Sequence, residues 1–483
     1  MKRHAPHHAL SLVAAGCALL LGTGAFAESL NFTPFHPNGI YALADTVGWT
    51  VTLPAGSTAP AGSYSYTIRR NNLDVLKTGT FDLASGSATI EFPYSEAAML
   101  YVAVNRVAAP PPPPLSPTEV RQINDGLKAL LADKSAALKP IFDQHPDLQI
   151  VAVPQPAMVP ATELVATLGA AVAPTSLPPA APRPADFDAF WAAKLKALKK
   201  VPIHPVIVRT PTTQPGVELY TVTLDSLGSH VHGFLAKPSR KGKFPALMIY
   251  QWAGVYALQS AWATNRAAEG WLVFNVDSHD MEPTQQTGAP NDYNAVGNTS
   301  RETSYFLNMY LRDTRALDFV STLPSWDHKT IVATGTSMGG QQSLVTAGLN
   351  PGRITAVVVN EPSGADSNGE LHGRKTGYPF WPSADPQVMK TALYFDTVNF
   401  ASHIKAPVLV GVGFIDTIAP PVGIWTAFDQ IRGPKEIVPM IESDHNNITP
   451  QKQGAYQQRS EEVLAILLHG GTYVPDETVA KGR

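Results

Sequence analysis

Apolar residues along this chain follow two rhythms, and the change between them falls near residue 180. Between Gly48 and Val104, short stretches rich in Val, Thr, Ile and Tyr (Trp49–Leu53, Tyr64–Arg69, Ala88–Phe92 and Met99–Val104) are separated by Pro, Gly, Asn and Asp turns. Short β-branched and aromatic runs with that punctuation predict a small β-sandwich of immunoglobulin-like type. The proline run Pro110–Pro114 cannot join a sheet ladder and predicts an extended linker. Ser116-Pro117-Thr118-Glu119 then supplies a cap and a first-turn proline ahead of Ile123, Leu127, Leu130 and Leu131 at helical spacing, which predicts a helix over 116–139. Glu163–Val172 resumes a strand-compatible pattern. The sandwich is therefore expected over 28–177, with a proline-rich and helical insertion at about 108–160.

Beyond the proline-rich connection Leu177–Pro184 the pattern changes. Apolar runs at Leu247–Tyr250, Trp271–Val276, Thr330–Thr334, Ile354–Val359, Val408–Val412 and Ile437–Ile441 alternate with segments long enough for helices. That alternation predicts an α/β domain over 184–475, a mainly parallel sheet covered by helices on both faces. In such sheets ligands gather at the carboxyl ends of the strands.

With 44% hydrophobic residues in 483, the chain can bury a large core. A formal net charge of −3 offers no basic field to a phosphate backbone, so nucleic acid is not an expected partner. At the start, Lys2 and Arg3 precede the apolar run Ala9–Leu21 and then Ala25-Phe26-Ala27, the pattern of a cleaved signal peptide over 1–27. The expected location is therefore secreted or periplasmic, with no membrane span in the mature chain. Cys17 is the only cysteine and lies inside this leader, so the mature chain would hold no disulfide, catalytic thiolate or zinc–cysteine site.

The segment TIVATGTSMGGQQ, Thr330–Gln342, runs a β-branched strand into glycines and then into small and polar residues. It contains G-x-S-x-G, the form of a nucleophile elbow with Ser337 at its centre. Such a serine needs a base and a group to orient that base, and in the α/β-hydrolase fold the acid and then the histidine follow it in the chain. Asp416 follows the strand Val408–Val412, and His445 follows Ile437–Ile441. Glu361, after the preceding strand, is a competing acid. His403 and His469 fall in helical segments away from the strand ends. The expected oxyanion donors are the backbone amides of Met338 and, in the loop Tyr250–Gly254, of Trp252. Tyr250 and, in the loop Ser363–Trp381, Trp381 are candidate pocket residues, with Tyr378 and Phe380 beside the latter. His279 and Asp280 stand together without a second cluster, so no metal and no cofactor are expected.

Five stretches resemble the acetylxylan esterase and cephalosporin C deacetylase family: PADFDAFW, YLRDTRALDFV, GTSMGG, TALYFDTVNFASHIKAPVLVGVGFIDTIAPP and SDHNN. The resemblance covers roughly Pro184 to His469. It implies an α/β-hydrolase that removes acetyl groups from saccharides or related small esters with Ser337, Asp416 and His445, and a homo-oligomer is among the assemblies it allows. The chain departs from the family pattern at Met338, at Trp252, at Asp277-Ser278-His279-Asp280 and at Asn446, where glutamine, tyrosine, an arginine-glycine-glutamine motif and glutamate are usual. A serine peptidase or broader ester hydrolase, and a catalytically silent glycan-binding protein, remain alternative readings of the same sequence.

Overall fold

The structure, a computed structural model, describes residues 30–57, 63–107 and 162–479, and between the last two stretches only Thr118 and Arg121, both helical. The expected signal peptide with Cys17, the linker Pro110–Pro114 and the rest of the 116–139 helix lie outside the described residues.

The N-terminal region is all β. Its strands are β1 (Asn31–Pro34), β2 (Ile40–Tyr41), β3 (Thr46–Thr52), β4 (Tyr64–Arg70), β5 (Asp74–Phe81), β6 (Ser87–Pro93), β7 (Ala98–Val107) and β8 (Thr162–Val172). They form a three-stranded sheet, β1-β3-β6, and a five-stranded sheet, β2-β8-β7-β4-β5. Trp49, Val51 and Ile90 from the first meet Tyr64, Ile68, Val102 and Ala170 from the second in one core. Strand alternation accounts for this, because inward and outward side chains change at every residue.

The second region is built on one nine-stranded sheet. Three antiparallel strands, β9 (Val206–Thr210), β10 (Val217–Asp225) and β11 (His230–Pro238), lead into six parallel ones. These are β12 (Phe244–Tyr250), β13 (Leu272–Val276), β14 (Trp326–Thr336), β15 (Ala356–Asn360), β16 (Val408–Gly413) and β17 (Lys435–Met440). The spatial order is β17-β16-β15-β14-β12-β13-β11-β10-β9. The helices are α1 (Phe187–Leu198), α2 (Ser260–Glu269), α3 (Tyr305–Val320), α4 (Met338–Leu349), α5 (Pro386–Ala392), α6 (Thr397–Ala401), α7 (Pro421–Gln430) and α8 (Pro450–Leu468). The central strands read as unbroken apolar runs, and β15 and β16 are buried at every position, as a sheet covered on both faces requires. All six strands expected from the sequence are present, and β9–β11 are an addition.

Strand order reverses at β12: the chain first adds β13 on one side and then β14 on the other. A crevice opens at the carboxyl ends of strands where such a reversal occurs. The loop after β12 and the turn after β14 meet there. The N-terminal region abuts the same rim. A Cβ added to Gly169 of β8 would lie 2.6 Å from Cβ of Phe414, and one added to Gly39 would lie 2.7 Å from Cγ2 of Ile441. Phe414 and Ile441 stand just before Asp416 and His445 in the loops after β16 and β17.

Candidate active site

Ser337 sits between β14 and α4 with φ 58° and ψ −124°, a conformation that costs a non-glycine residue about 1–3 kcal/mol. Neighbouring backbone holds it there. Its N–H donates to the Asn360 carbonyl at 3.0 Å, and its carbonyl accepts from the N–H of Ser363 at 3.1 Å and of Gln341 at 3.0 Å. The two flanking glycines are demanded by contact. A Cβ at Gly335 would lie 2.4 Å from the Gly339 carbonyl carbon, and a Cβ at Gly339 would lie 2.3 Å from the Tyr250 carbonyl oxygen. Strand, turn, helix and the loop after β12 thus cross at backbone contact, which leaves the Ser337 side chain one direction to take.

That direction leads to His445. Its Nε2 lies 3.0 Å from Ser337 Oγ, and its Nδ1 lies 2.7 Å from Asp416 Oδ2. The other Asp416 oxygen accepts from the backbone N–H of Ile418 at 2.7 Å and Ala419 at 2.8 Å, so the carboxylate is fixed at both ends. His445 has φ 81°. Asp444 pins its loop, accepting from Asn447 N–H at 2.9 Å and from Lys452 Nζ at 2.9 Å. Burial raises the Asp416 pKa, against the opposing hydrogen bond from His445. For His445, burial disfavours the imidazolium, but the hydrogen bond and charge of Asp416, then the charge of Glu361, outweigh it and pull the pKa up.

Glu361 and Asp416 flank the same imidazole, and distance separates their parts. Glu361 Oε2 is 3.8 Å from His445 Nδ1, outside hydrogen-bond reach. Its oxygens are already engaged: Oε1 accepts from Ser443 Oγ at 2.6 Å and Oε2 from Gln453 Nε2 at 3.0 Å. Burial, reinforced by the Asp416 charge, pushes the Glu361 pKa up to about 7.

This geometry can be set beside known proteins. A sequence profile of the family described as Acetyl xylan esterase (AXE1) matches residues 176–368 and 378–461, together more than half of the chain. The chain belongs to the acetyl xylan esterase family. A relative, the acetyl esterase Axe7A of Xylanibacter ruminicola, is 32% identical over 280 residues, covering 54% of this chain and 64% of that protein. The match thus spans less than two thirds of the relative's length. Two solved structures share the fold: an acetyl xylan esterase from Paenibacillus sp. R4 (23% identity, TM-score 0.53, 60% of this chain and 98% of the other) and acetyl xylan esterase 1 from Thermoanaerobacterium sp. JW/SL YS485 (24%, TM-score 0.52, 60% and 97%). The profile begins at residue 176, after β8, so the two N-terminal sheets lie outside what the acetyl xylan esterase family matches.

Within the family framework, the departures of this chain acquire physical partners. The Tyr378 hydroxyl donates to that of Tyr293 at 2.8 Å, the Tyr293 hydroxyl donates to the Met338 thioether at 3.5 Å, and Tyr378 Oη lies 3.0 Å from the same sulfur. The Tyr293 hydroxyl accepts from the Gly254 N–H at 3.1 Å. From the other side, buried His279 holds the Gly254 carbonyl with Nε2 at 3.0 Å and meets the Tyr305 hydroxyl with Nδ1 at 2.8 Å. Burial lowers the His279 pKa to about 4, so the ring is neutral and Nε2–H is the donor. The loop bearing Trp252 is therefore clamped at Gly254 on both faces, beside the turn bearing Met338. Neither the Trp252 nor the Met338 amide is engaged by another group among the described residues.

Two expected pocket residues are packed against neighbours. Tyr250 shares the strand face of Ala246 and Met248, so its ring enters the core at 2% exposure and only its carbonyl reaches the elbow. Trp381 is 6% exposed and packs on Phe306, 5.5 Å between ring centroids. Trp252 and Phe380 are exposed. Tyr293 has little signal in the sequence beyond being an aromatic within the polar stretch Asn291–Asn294.

Two groups among the described residues are spaced to hold a metal ion: Glu361, Asp416 and His445, and His230, His232 and Asp280. The first is the hydrogen-bonded site just described. The second removes the ground for expecting Asp280 to stand without a supporting cluster.

Proposed function

We propose that the chain is a serine esterase that removes acetyl groups from acetylated saccharides or related esters through an acyl-enzyme. The observation that carries this reading is the continuous path from Ser337 Oγ through His445 to Asp416, 3.0 Å and 2.7 Å long, on a strained turn at the sheet rim. Neutral His445 takes the proton of Ser337 as Oγ attacks the acetyl carbonyl, and Asp416 holds the ring's tautomer and stabilises the imidazolium. The Met338 and Trp252 amides receive the oxyanion, helped by the N-terminal end of α4. His445 then protonates the departing sugar hydroxyl, leaving acetyl-Ser337. Water, deprotonated by the same imidazole, hydrolyses that ester to acetate.

The proposal extends to the rest of the chain. Residues 1–27 are read as a cleaved signal peptide and the mature protein as secreted or periplasmic. Residues 28–177 are read as an immunoglobulin-like sandwich and 184–475 as the catalytic domain. No helix among the described residues is long and apolar enough to cross a membrane. The test is turnover of p-nitrophenyl acetate and of acetylated xylo-oligosaccharides by the wild type and by Ser337→Ala. Acetate release that vanishes in the variant, with the fold intact, is expected; equal release by both refutes the reading.

A further inference from the structure

A second cluster lies at the edge of the same sheet rim, where β11 begins and β13 ends. His230 and His232 stand two apart on β11, so strand alternation sends both imidazoles to one face. Asp280, in the segment after β13, places Oδ1 between them, 3.3 Å from His230 Nδ1 and 3.1 Å from His232 Nε2. The three donor atoms all lie within 4.8 Å of one another.

We propose that His230, His232 and Asp280 form a site for a divalent transition-metal cation, best matched to zinc, with its fourth position open to water. Tetrahedral zinc with bonds of about 2.0–2.1 Å has ligand-to-ligand edges of about 3.4 Å, close to the two nitrogen–oxygen separations seen here. Two imidazoles beside one carboxylate suit zinc, whereas magnesium and calcium take oxygen ligands throughout. Exposure fits an open site: the His232 side chain is 9% exposed, whereas that of His230 is 55% exposed.

The surroundings of His232 also suit a metal-bound imidazole. Its second nitrogen, Nδ1, faces the Thr223 hydroxyl at 3.2 Å and Glu282 Oε1 at 3.4 Å, with Thr223 directly opposite His232 in the strand register. If a neutral His232 donates from Nε2 to Asp280, its Nδ1 lone pair accepts from the Thr223 hydroxyl and also faces the Glu282 carboxylate. If Nε2 binds a cation, Nδ1–H donates to Thr223 or Glu282, the arrangement that orients metal-bound histidines. The cation would join β11 to the segment 277–286. That segment braces the loop bearing Trp252, since Leu258 N–H donates to the Pro283 carbonyl at 2.8 Å and His279 holds Gly254.

The experiment titrates the chelator-treated full chain with zinc chloride against a chromophoric zinc indicator and follows thermal unfolding in parallel. One equivalent bound per chain and a Tm that rises with zinc are expected. His230→Ala and Asp280→Asn should each weaken binding by about a hundredfold and abolish the Tm shift, Glu282→Gln should weaken it by about tenfold, and His445→Ala should leave it unchanged. Failure of the wild type to take zinc from the indicator overturns the proposal. So does binding that survives both His230→Ala and Asp280→Asn, or that is lost only in His445→Ala. A doubly protonated His232 held by Asp280 and Glu282 without metal gives the first of these results.

Discussion

Glu361 Oε2 stands 3.8 Å from His445 Nδ1, while Asp416 Oδ2 stands 2.7 Å from the same atom. One imidazole thus feels two buried carboxylates, one through a hydrogen bond and one through charge alone. The base must be neutral to act, so activity falls as the pH drops through the raised His445 pKa. As the pH rises through about 7 Glu361 ionises, and Glu361→Gln removes that charge, which stabilises the imidazolium. Its acid limb in kcat/KM should therefore move to lower pH, by about half a unit to one unit, in a pH–rate profile beside the wild type. An acid limb that stays in place or moves upward would contradict the charge coupling.

The same residue links stability to pH. Burial holds Glu361 protonated in the fold up to about 7, against an ordinary value of 4.5. Its contribution is fully present below the unfolded value and is lost as the pH rises through about 7. A glutamine cannot ionise, so the stability of Glu361→Gln relative to wild type should improve as the pH rises through that window. Denaturant unfolding at several pH values checks the sign.

Gly339 has the Tyr250 carbonyl oxygen where a Cβ would stand. Backbone lies on both sides, so neither partner yields cheaply. Gly339→Ala should cost about 3 kcal/mol or more, among the larger effects of a single methyl group, with most activity lost in the soluble fraction. Unfolding midpoints and residual turnover measure this.

Tyr293 ties the Gly254 amide to the Met338 thioether through one hydroxyl. Tyr293→Phe leaves that amide without its partner and loosens the loop that carries Trp252. A loss of about tenfold is expected in kcat with KM little changed, because the oxyanion donor works in the transition state. A change confined to KM would instead mean that the tyrosine acts on bound substrate.

Gly169 of β8 leaves room for Phe414, two residues before Asp416. Gly169→Val would push on that loop from outside the region matched by the family profile. Turnover should fall several-fold while the N-terminal core persists, and steady-state kinetics with circular dichroism separates the two effects.

The central residues were legible because each carries a local constraint. The Ser337 turn needs two glycines at fixed offsets, and Asp416 and His445 each follow an apolar run that a buried parallel strand requires. Direction and long-range pairing were not legible in the same way. Tyr250 looked available at the end of β12, but its face is set by register with the neighbouring strands, and one residue decides between core and rim. The antiparallel strands β9–β11 lacked the helical spacing that marks the parallel ones. Asp280 meets His230 and His232 only because β13 pairs with β11, a contact that no stretch of sequence around Asp280 encodes. Glu361 was visible as an acid at a strand end, yet its distance from His445 depends on Ser443 and Gln453 holding its oxygens.

The most direct test of the account is mass spectrometry of the protein after reaction with a fluorophosphonate, which traps an activated serine hydroxyl. The account predicts a single adduct on the peptide containing Ser337, absent in Ser337→Ala and formed far more slowly in His445→Ala. An esterase that turns over acetyl esters with Ser337 unlabelled, or that labels at another serine, would contradict it.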